Sequence, residues 1–143
     1  MSNHLQPRAG CVVTTGIDGV LISRVHALLG RRPKFVNRVL CSGEQERLTS
    51  ITNDRSRAAS IAGRIAVKEA TMKALGGGIW DIGFLNIEVE GGRRVAPAIT
   101  LHGRAKHRAE SLQIDEVKVS LSHDGDFAIA SATAVRWCSC NPS

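Results

Sequence analysis

Residues Arg64 to Gly78 read RIAVKEATMKALGGG, and this stretch decides the fold. Together with the residues back to Arg55, it sets Ile61, Ile65, Met72 and Leu75 at spacings of three and four, the period of a helix that turns one face to a core. The pattern predicts one long helix from about Arg55 to Leu75, with Asn53 and Asp54 as N-cap residues. Glu69 follows Ile65 by four residues and precedes Met72 by three, so it borders the buried stripe, where a carboxylate without a cation is costly. Lys73 lies four residues further on, in the favourable order for an ordinary surface ion pair. That pairing is one reading of Glu69; a metal ligand is the other. Gly76, Gly77 and Gly78 follow where a single glycine would end the helix, and exposed amides beside Lys73 suit the phosphates of a nucleotide-like molecule. The run is not a Walker loop, because it closes a helix and no Lys-Ser/Thr pair follows it.

The second carboxylate is Asp18. Residues Cys11 to Ile17 (CVVTTGI) are β-branched and apolar, which predicts a buried strand, and Gly16 lets its backbone approach something closely. Asp18 then stands at a strand end. It can cap a helix starting near Val20, or it can join Glu69 in holding a divalent cation.

Working outward, a helix from about Val20 breaks around Gly30 to Pro33, and another covers Lys34 to Leu40. Ser42 and Gln45 form a capping box for a short helix to Ile51. Beyond the glycines, Phe84 to Glu90 alternates as a strand, Gly91-Gly92 turns the chain, and Val95 to Leu101 returns, with Pro97 marking an edge or interrupted strand. Ala105, Ala109 and Leu112 mark a further helix. Val117 to Ser122 and Phe127 to Ala134 form a hairpin around Asp124-Gly125-Asp126. A chain of 143 residues, 43% hydrophobic with three Phe and two Trp, builds one aliphatic core. The expected fold class is α+β: a mostly antiparallel sheet packed on one long helix, a single compact domain over 1–143 with 1–10 and 138–143 as flexible tails.

Charge is distributed unevenly. Up to Leu75 there are 12 Lys and Arg against 5 Asp and Glu; beyond it there are 7 against 8, so the whole net +6 arises in the first half. Arg24, Arg31, Arg32, Lys34 and Arg38 lie between Gly19 and Gly43 without an intervening acid. Such a surface steers a polyanion and an acidic protein toward itself. Nucleic acid is the rival partner for a pI near 9.7. With no Tyr and 3% aromatics, the chain is short of stacking platforms, so no nucleic-acid partner is expected. No membrane partner is expected either, since no apolar stretch reaches spanning length and MSNHLQPRAG lacks a signal peptide's hydrophobic region; the expected location is cytoplasmic. Cys11, Cys41, Cys138 and Cys140 show neither zinc spacing nor two nearby pairs, which points to reduced thiols.

Several short motifs now fall into one order. Gly16-Ile17-Asp18, KEA-x-x-KALG-x-G from Lys68, and S-x-S-H from Ser120 to His123 stand with Arg24, the VL-x-x-x-E run from Val39 to Glu44, and Ala62-Gly63-Arg64. In this order and spacing the sequence resembles the holo-acyl-carrier-protein synthase type of 4′-phosphopantetheinyl transferase, over Val13 to Ala134. It departs from the family at Leu21, where an acid is usual, at Ile65, where an aromatic is usual, and at Cys41, commonly threonine. The resemblance implies transfer of phosphopantetheine from coenzyme A to a serine of an apo acyl carrier protein, releasing adenosine 3′,5′-bisphosphate. It implies Mg²⁺ at Asp18 and Glu69, with Mn²⁺ accepting the same oxygen ligands. Lys73 joins them as a catalytic residue, offsetting charge on the leaving phosphate. Arg55, Arg57, Arg64 and His123 match positions for coenzyme A, and Lys73, Gly76, Gly77 and Gly78 join them through the phosphate-suited run read above. Arg24 is implied to dock the acidic carrier protein, and the cation run adds Arg31 and Arg38 to that surface. Larger relatives look like two such units fused, so this short chain is expected to form a homotrimer with active sites shared between neighbours. The alternatives are a coenzyme A or nucleic-acid binding module without turnover, and a metal-dependent phosphohydrolase.

Overall fold

The computed structural model describes residues 9–92 and 94–138. Most of the expected tails, 1–10 and 138–143, therefore lies outside the described residues, although Gly10 is already in a strand. In chain order the elements are β1 (Gly10–Leu21), α1 (Ile22–Arg31), α2 (Val36–Val39), α3 (Ser42–Leu48), α4 (Asp54–Ala74), β2 (Ile87–Glu90), β3 (Ala98–Leu101), α5 (Gly103–Ser111), β4 (Glu116–Asp124) and β5 (Phe127–Trp137). Single 3₁₀ turns cover Pro33–Phe35 and Phe84–Asn86.

The α+β expectation holds, with the strands divided between two antiparallel sheets: three strands in the order β1-β5-β4, and the hairpin β2-β3. The long helix is the centre of the fold. Asn53 caps it as its side chain suggests, Oδ1 accepting from the Ser56 amide at 2.9 Å. The stripe of Ile61, Ile65, Met72 and Leu75 is buried, but so is most of the rest of the helix. Ala58, Ala62, Ala66, Ala70 and Ala74 repeat every four residues with essentially no exposure, forming one ridge along α4. Ala66, Ala70 and Ala74 cluster with Ala130 and Ala132 of β5, and Ala58 and Ala62 with Ala128. Small side chains on both surfaces bring the helix axis close to the sheet.

Three local readings are corrected. The first strand does not stop at Ile17: β1 runs to Leu21, and Asp18 lies within it, opposite Ala130 of β5. Asp18 therefore caps nothing. Asp126, in the β4-β5 turn, caps α1, its carbonyl accepting from Ile22 N at 2.8 Å and its carboxylate from Ser23 N at 3.0 Å and from the Ser23 hydroxyl. The box at the start of α3 is shifted by one residue, with Glu44 Oε2 accepting from Cys41 N at 2.7 Å. The helix expected over Lys34 to Leu40 is the 3₁₀ turn followed by the single turn α2, with Pro33 in the first-turn position that tolerates its missing N–H.

Candidate active site where β1 crosses α4

Gly16 makes the site possible. A Cβ built on it would lie 2.1 Å from Ala70 O and 2.8 Å from Ala74 N, so β1 can touch the α4 backbone only because the side chain is missing. Residues two apart on a strand share a face, so Asp18 points to the same helix. There it meets Glu69 and Lys73, one turn apart on α4. Lys73 Nζ donates to Asp18 Oδ1 at 2.7 Å and to Ile17 O at 3.0 Å. The Asp18 side chain is 13% exposed and that of Lys73 57%. The Asp18 and Glu69 carboxyls are within hydrogen-bonding reach, and the Glu69 carboxyl is pushed up to about 7, first by burial, then by the hydrogen bond and charge of Asp18, with Lys73 opposing. Lys73 is in turn held above the usual ammonium range, chiefly by its hydrogen bond to Asp18. The ordinary surface pair between Glu69 and Lys73 is thus replaced by a three-membered cluster in which the lysine binds the strand.

The glycine run behaves differently from its expectation as a set of exposed amides. Gly76 (φ +69°) ends α4 in the left-handed region, its N–H donating to Lys73 O at 3.0 Å, and Gly77 N donates to Met72 O at 3.1 Å, a Schellman closure. Gly78 N donates to Asp81 Oδ2 at 3.2 Å. All three amides are therefore engaged within the chain, and binding a phosphate through Gly78 requires displacing Asp81.

Arg64, His123 and Arg55 come together elsewhere, lining a pocket of about 560 Å³ with Ser60, Asn53 and Leu121. Arg64 is 8% exposed; its Nη1 donates to Ser60 Oγ at 2.6 Å and Ser60 O at 3.2 Å, while its buried Nε has no hydrogen-bond partner. Burial lowers its guanidinium from the usual range. The His123 Nε2 lies 3.1 Å from Ala59 O, and Gly63 leaves room for the ring, a Cβ there standing 3.2 Å from that nitrogen. Arg55 is drawn toward Asp126 at 3.6 Å. Arg57 is exposed and lines none of this pocket. Lys73 lines a different pocket, with Thr15, Gly16 and Ile17. Arg24 and Arg31 are exposed on α1, seven residues and hence two turns apart, and Arg38 is exposed on α2.

The sequence reading passed over Lys68, next to Glu69. It is completely buried, its Nζ donating to Glu44 Oε2 at 2.6 Å, Val39 O at 2.6 Å and Phe84 O at 3.1 Å. Glu44 Oε1 also accepts from Val89 N at 3.0 Å. One ion pair thereby joins α2, α3, α4, β2 and the turn before β2. The signal was present, since both residues belong to the matched motifs, but spacing alone does not show that they point at each other.

Comparisons with known proteins give the family of the chain. The family profile of the 4′-phosphopantetheinyl transferase superfamily matches residues 14–132. The chain belongs to that superfamily. It is 34% identical over 122 residues to the holo-[acyl-carrier-protein] synthase of Natranaerobius thermophilus, covering 85% of this chain and 95% of that one. To the Gloeobacter violaceus holo-[acyl-carrier-protein] synthase it is 39% identical over 121 residues, 84% of this chain and 90% of the relative. Among solved structures, Helicobacter pylori holo-[acyl-carrier-protein] synthase in complex with coenzyme A superposes with a TM-score of 0.70 at 35% identity, covering 84% of this chain and 98% of that one. The Bacillus anthracis synthase in complex with coenzyme A (3′,5′-ADP) gives 0.72 at 30%, covering 87% and 97%. Within the transferase superfamily, the chain is therefore of the holo-acyl-carrier-protein synthase type.

Proposed function

We propose that this chain transfers 4′-phosphopantetheine from coenzyme A to a serine hydroxyl of an apo acyl carrier protein, releasing adenosine 3′,5′-bisphosphate. The observation that carries the reading is the meeting of Asp18, Glu69 and Lys73 at the β1–α4 contact. Two carboxyls this close repel each other when both ionise, and a single lysine relieves that only in part. An oxygen-only pair of this kind fits a hard divalent cation, Mg²⁺ or Mn²⁺, which takes one or two carboxylates and fills its other positions with water and substrate phosphate. When bound, the cation supplies Lewis-acid stabilisation of the pyrophosphate. Lys73 offsets the charge that builds on the leaving phosphate, and Arg64 and His123 hold the nucleotide portion of coenzyme A. The serine oxygen attacks phosphorus, the bond to adenosine bisphosphate breaks, and the serine proton passes to a carboxylate oxygen of the Asp18–Glu69 pair or to a water held there.

Arg24, Arg31 and Arg38 form the docking surface for the acidic carrier. The assembly in this reading is a homotrimer with shared sites. Two features support it: Lys73 and the Arg64–His123 pair line separate pockets of one protomer, and the outer face of the three-stranded sheet leaves Ile17, Leu21, Phe127 and Ile129 exposed, a patch that a neighbouring copy would cover. Among the described residues no helix is long and apolar enough to cross a membrane, and we place the reaction in the cytoplasm. The test is to incubate the protein with apo carrier protein, coenzyme A and Mg²⁺ and to measure the carrier's mass. Gain of phosphopantetheine that is lost in Asp18→Ala and Glu69→Ala supports the assignment; adenosine bisphosphate release with an unmodified carrier replaces it with a hydrolase, and binding without turnover with a binding module.

A further inference from the structure

Cys11 and Cys138 stand 127 positions apart in the chain, and their sulfurs are 3.3 Å apart. The β1–β5 register brings them there. Gly10 pairs with Trp137 and Cys11 with Arg136, and the Cys138 amide donates to Ala9 O at 3.0 Å, one step beyond the ladder. Cys138 is two residues past the partner of Cys11, so both side chains leave the same face of the strand pair. Cys11 is exposed, giving a reagent access to one sulfur. The third described cysteine contrasts with the pair. Cys41 donates its thiol to Leu85 O at 3.3 Å, and burial pushes that thiol up, away from the reactive thiolate.

We propose that Cys11 and Cys138 form a thiol modification site that a small-molecule disulfide converts to an intramolecular disulfide, fastening the start of β1 to the end of β5. The sulfurs need to close to roughly 2.05 Å, and the movement falls at the ends of both strands, where among the described residues only the Gly10–Trp137 pair and the Cys138–Ala9 hydrogen bond lie beyond Cys11. The Cys11 thiolate attacks one sulfur of oxidised glutathione, breaking its S–S bond and expelling one glutathione thiolate. The Cys138 thiolate then attacks the Cys11 sulfur of the mixed disulfide and expels the second. Two protein thiols are oxidised, one glutathione disulfide is reduced to two thiols, and the two protons pass to the departing thiolates. Asp18 and Ala130 belong to the same strand pair but lie well inside it, so the clamp secures the sheet that carries the site without entering the site.

The experiment treats the full chain with oxidised glutathione under native conditions and maps it by mass spectrometry. The expected result is a mass decrease of about 2 Da, reversed by dithiothreitol, with Cys11 and Cys138 in one cross-linked peptide. The cross-link encloses nearly the whole chain, so the oxidised form should melt about 5–10 °C higher. Cys41→Ser should keep the cross-link, and Cys11→Ser should lose it while retaining the transferase activity of the parent. An unchanged mass, stable glutathione adducts on separate cysteines, or a cross-link between Cys138 and Cys140 overturns the proposal.

Discussion

Lys73 Nζ lies 2.7 Å from Asp18 Oδ1 and 3.0 Å from Ile17 O, so one helix side chain grips both the side chain and the backbone of β1. The contact depends on strand and helix touching at Gly16. A cation four residues from Glu69 would ordinarily pair along the helix; here it is diverted across to the strand, leaving Glu69 half-buried against a second carboxyl.

Gly16→Ala tests that touch. The new methyl would meet backbone atoms of Ala70 and Ala74, which cannot rotate away, so β1 must lift off α4. A loss of about 2–4 kcal/mol in urea unfolding is expected, with transfer activity falling further than stability because Asp18 moves away from Glu69. A variant as stable and active as the parent would show that the strand can rest elsewhere.

Glu69 makes stability depend on pH. Its folded-state carboxyl titrates at about 7, above the ordinary 4.5, so between those values the folded state holds more protons than the unfolded one. Its contribution therefore favours folding at low pH, weakens as pH rises from 4.5, and is wholly lost above 7. In metal-free buffer, Glu69→Gln should gain stability over the parent across that window, levelling off above it at about 1–2 kcal/mol after allowance for its half exposure. Adding Mg²⁺ at pH 8 should raise the melting temperature of the parent and leave that of Glu69→Gln unchanged. A constant difference between the two proteins from pH 4.5 to 8 contradicts the assignment.

Breaking the buried ion pair should cost far more than any surface pair. Lys68→Met or Glu44→Gln alone leaves one charged partner buried at a five-element junction, and a loss of about 3–5 kcal/mol is expected from each. The double variant Glu44→Gln/Lys68→Met should recover part of that loss, as a thermal-unfolding double-mutant cycle would reveal.

The docking surface predicts a separation of kinetic constants. Arg24→Glu with Arg31→Glu reverses two exposed charges on one side of α1. The KM for the carrier protein should rise about tenfold or more, and its salt dependence should flatten, while the KM for coenzyme A stays near the parent value. Equal rises in both constants would place these arginines at the nucleotide instead.

Much of this was legible in the chain. The Asn53 cap, the alternation of Val117 to Leu121 and the β4-β5 turn are local patterns, and each element lies where its pattern puts it. Glu69 stood out because a carboxylate bordered a buried stripe. Asp18 stood out too, with a cap and a cation ligand as its two readings; the distant Asp126 does the capping, which no local rule reveals. The glycine run was read as a phosphate cradle because three glycines exceed the need of a cap, yet the helix end and Asp81 occupy all three amides.

From its residues alone, this chain determined the long helix, the antiparallel strands around it and the residue types able to hold a cation and phosphates, because periodicity and side-chain chemistry act over a few positions. Only the tertiary structure decided which of those groups meet. Lys73 turns to Asp18, Lys68 buries itself on Glu44, and Cys11 comes to Cys138, each through contact between segments far apart in sequence. Such pairings follow from how closely a ridge of alanines and one glycine allow a helix to lie on a sheet, a distance set by the whole core at once.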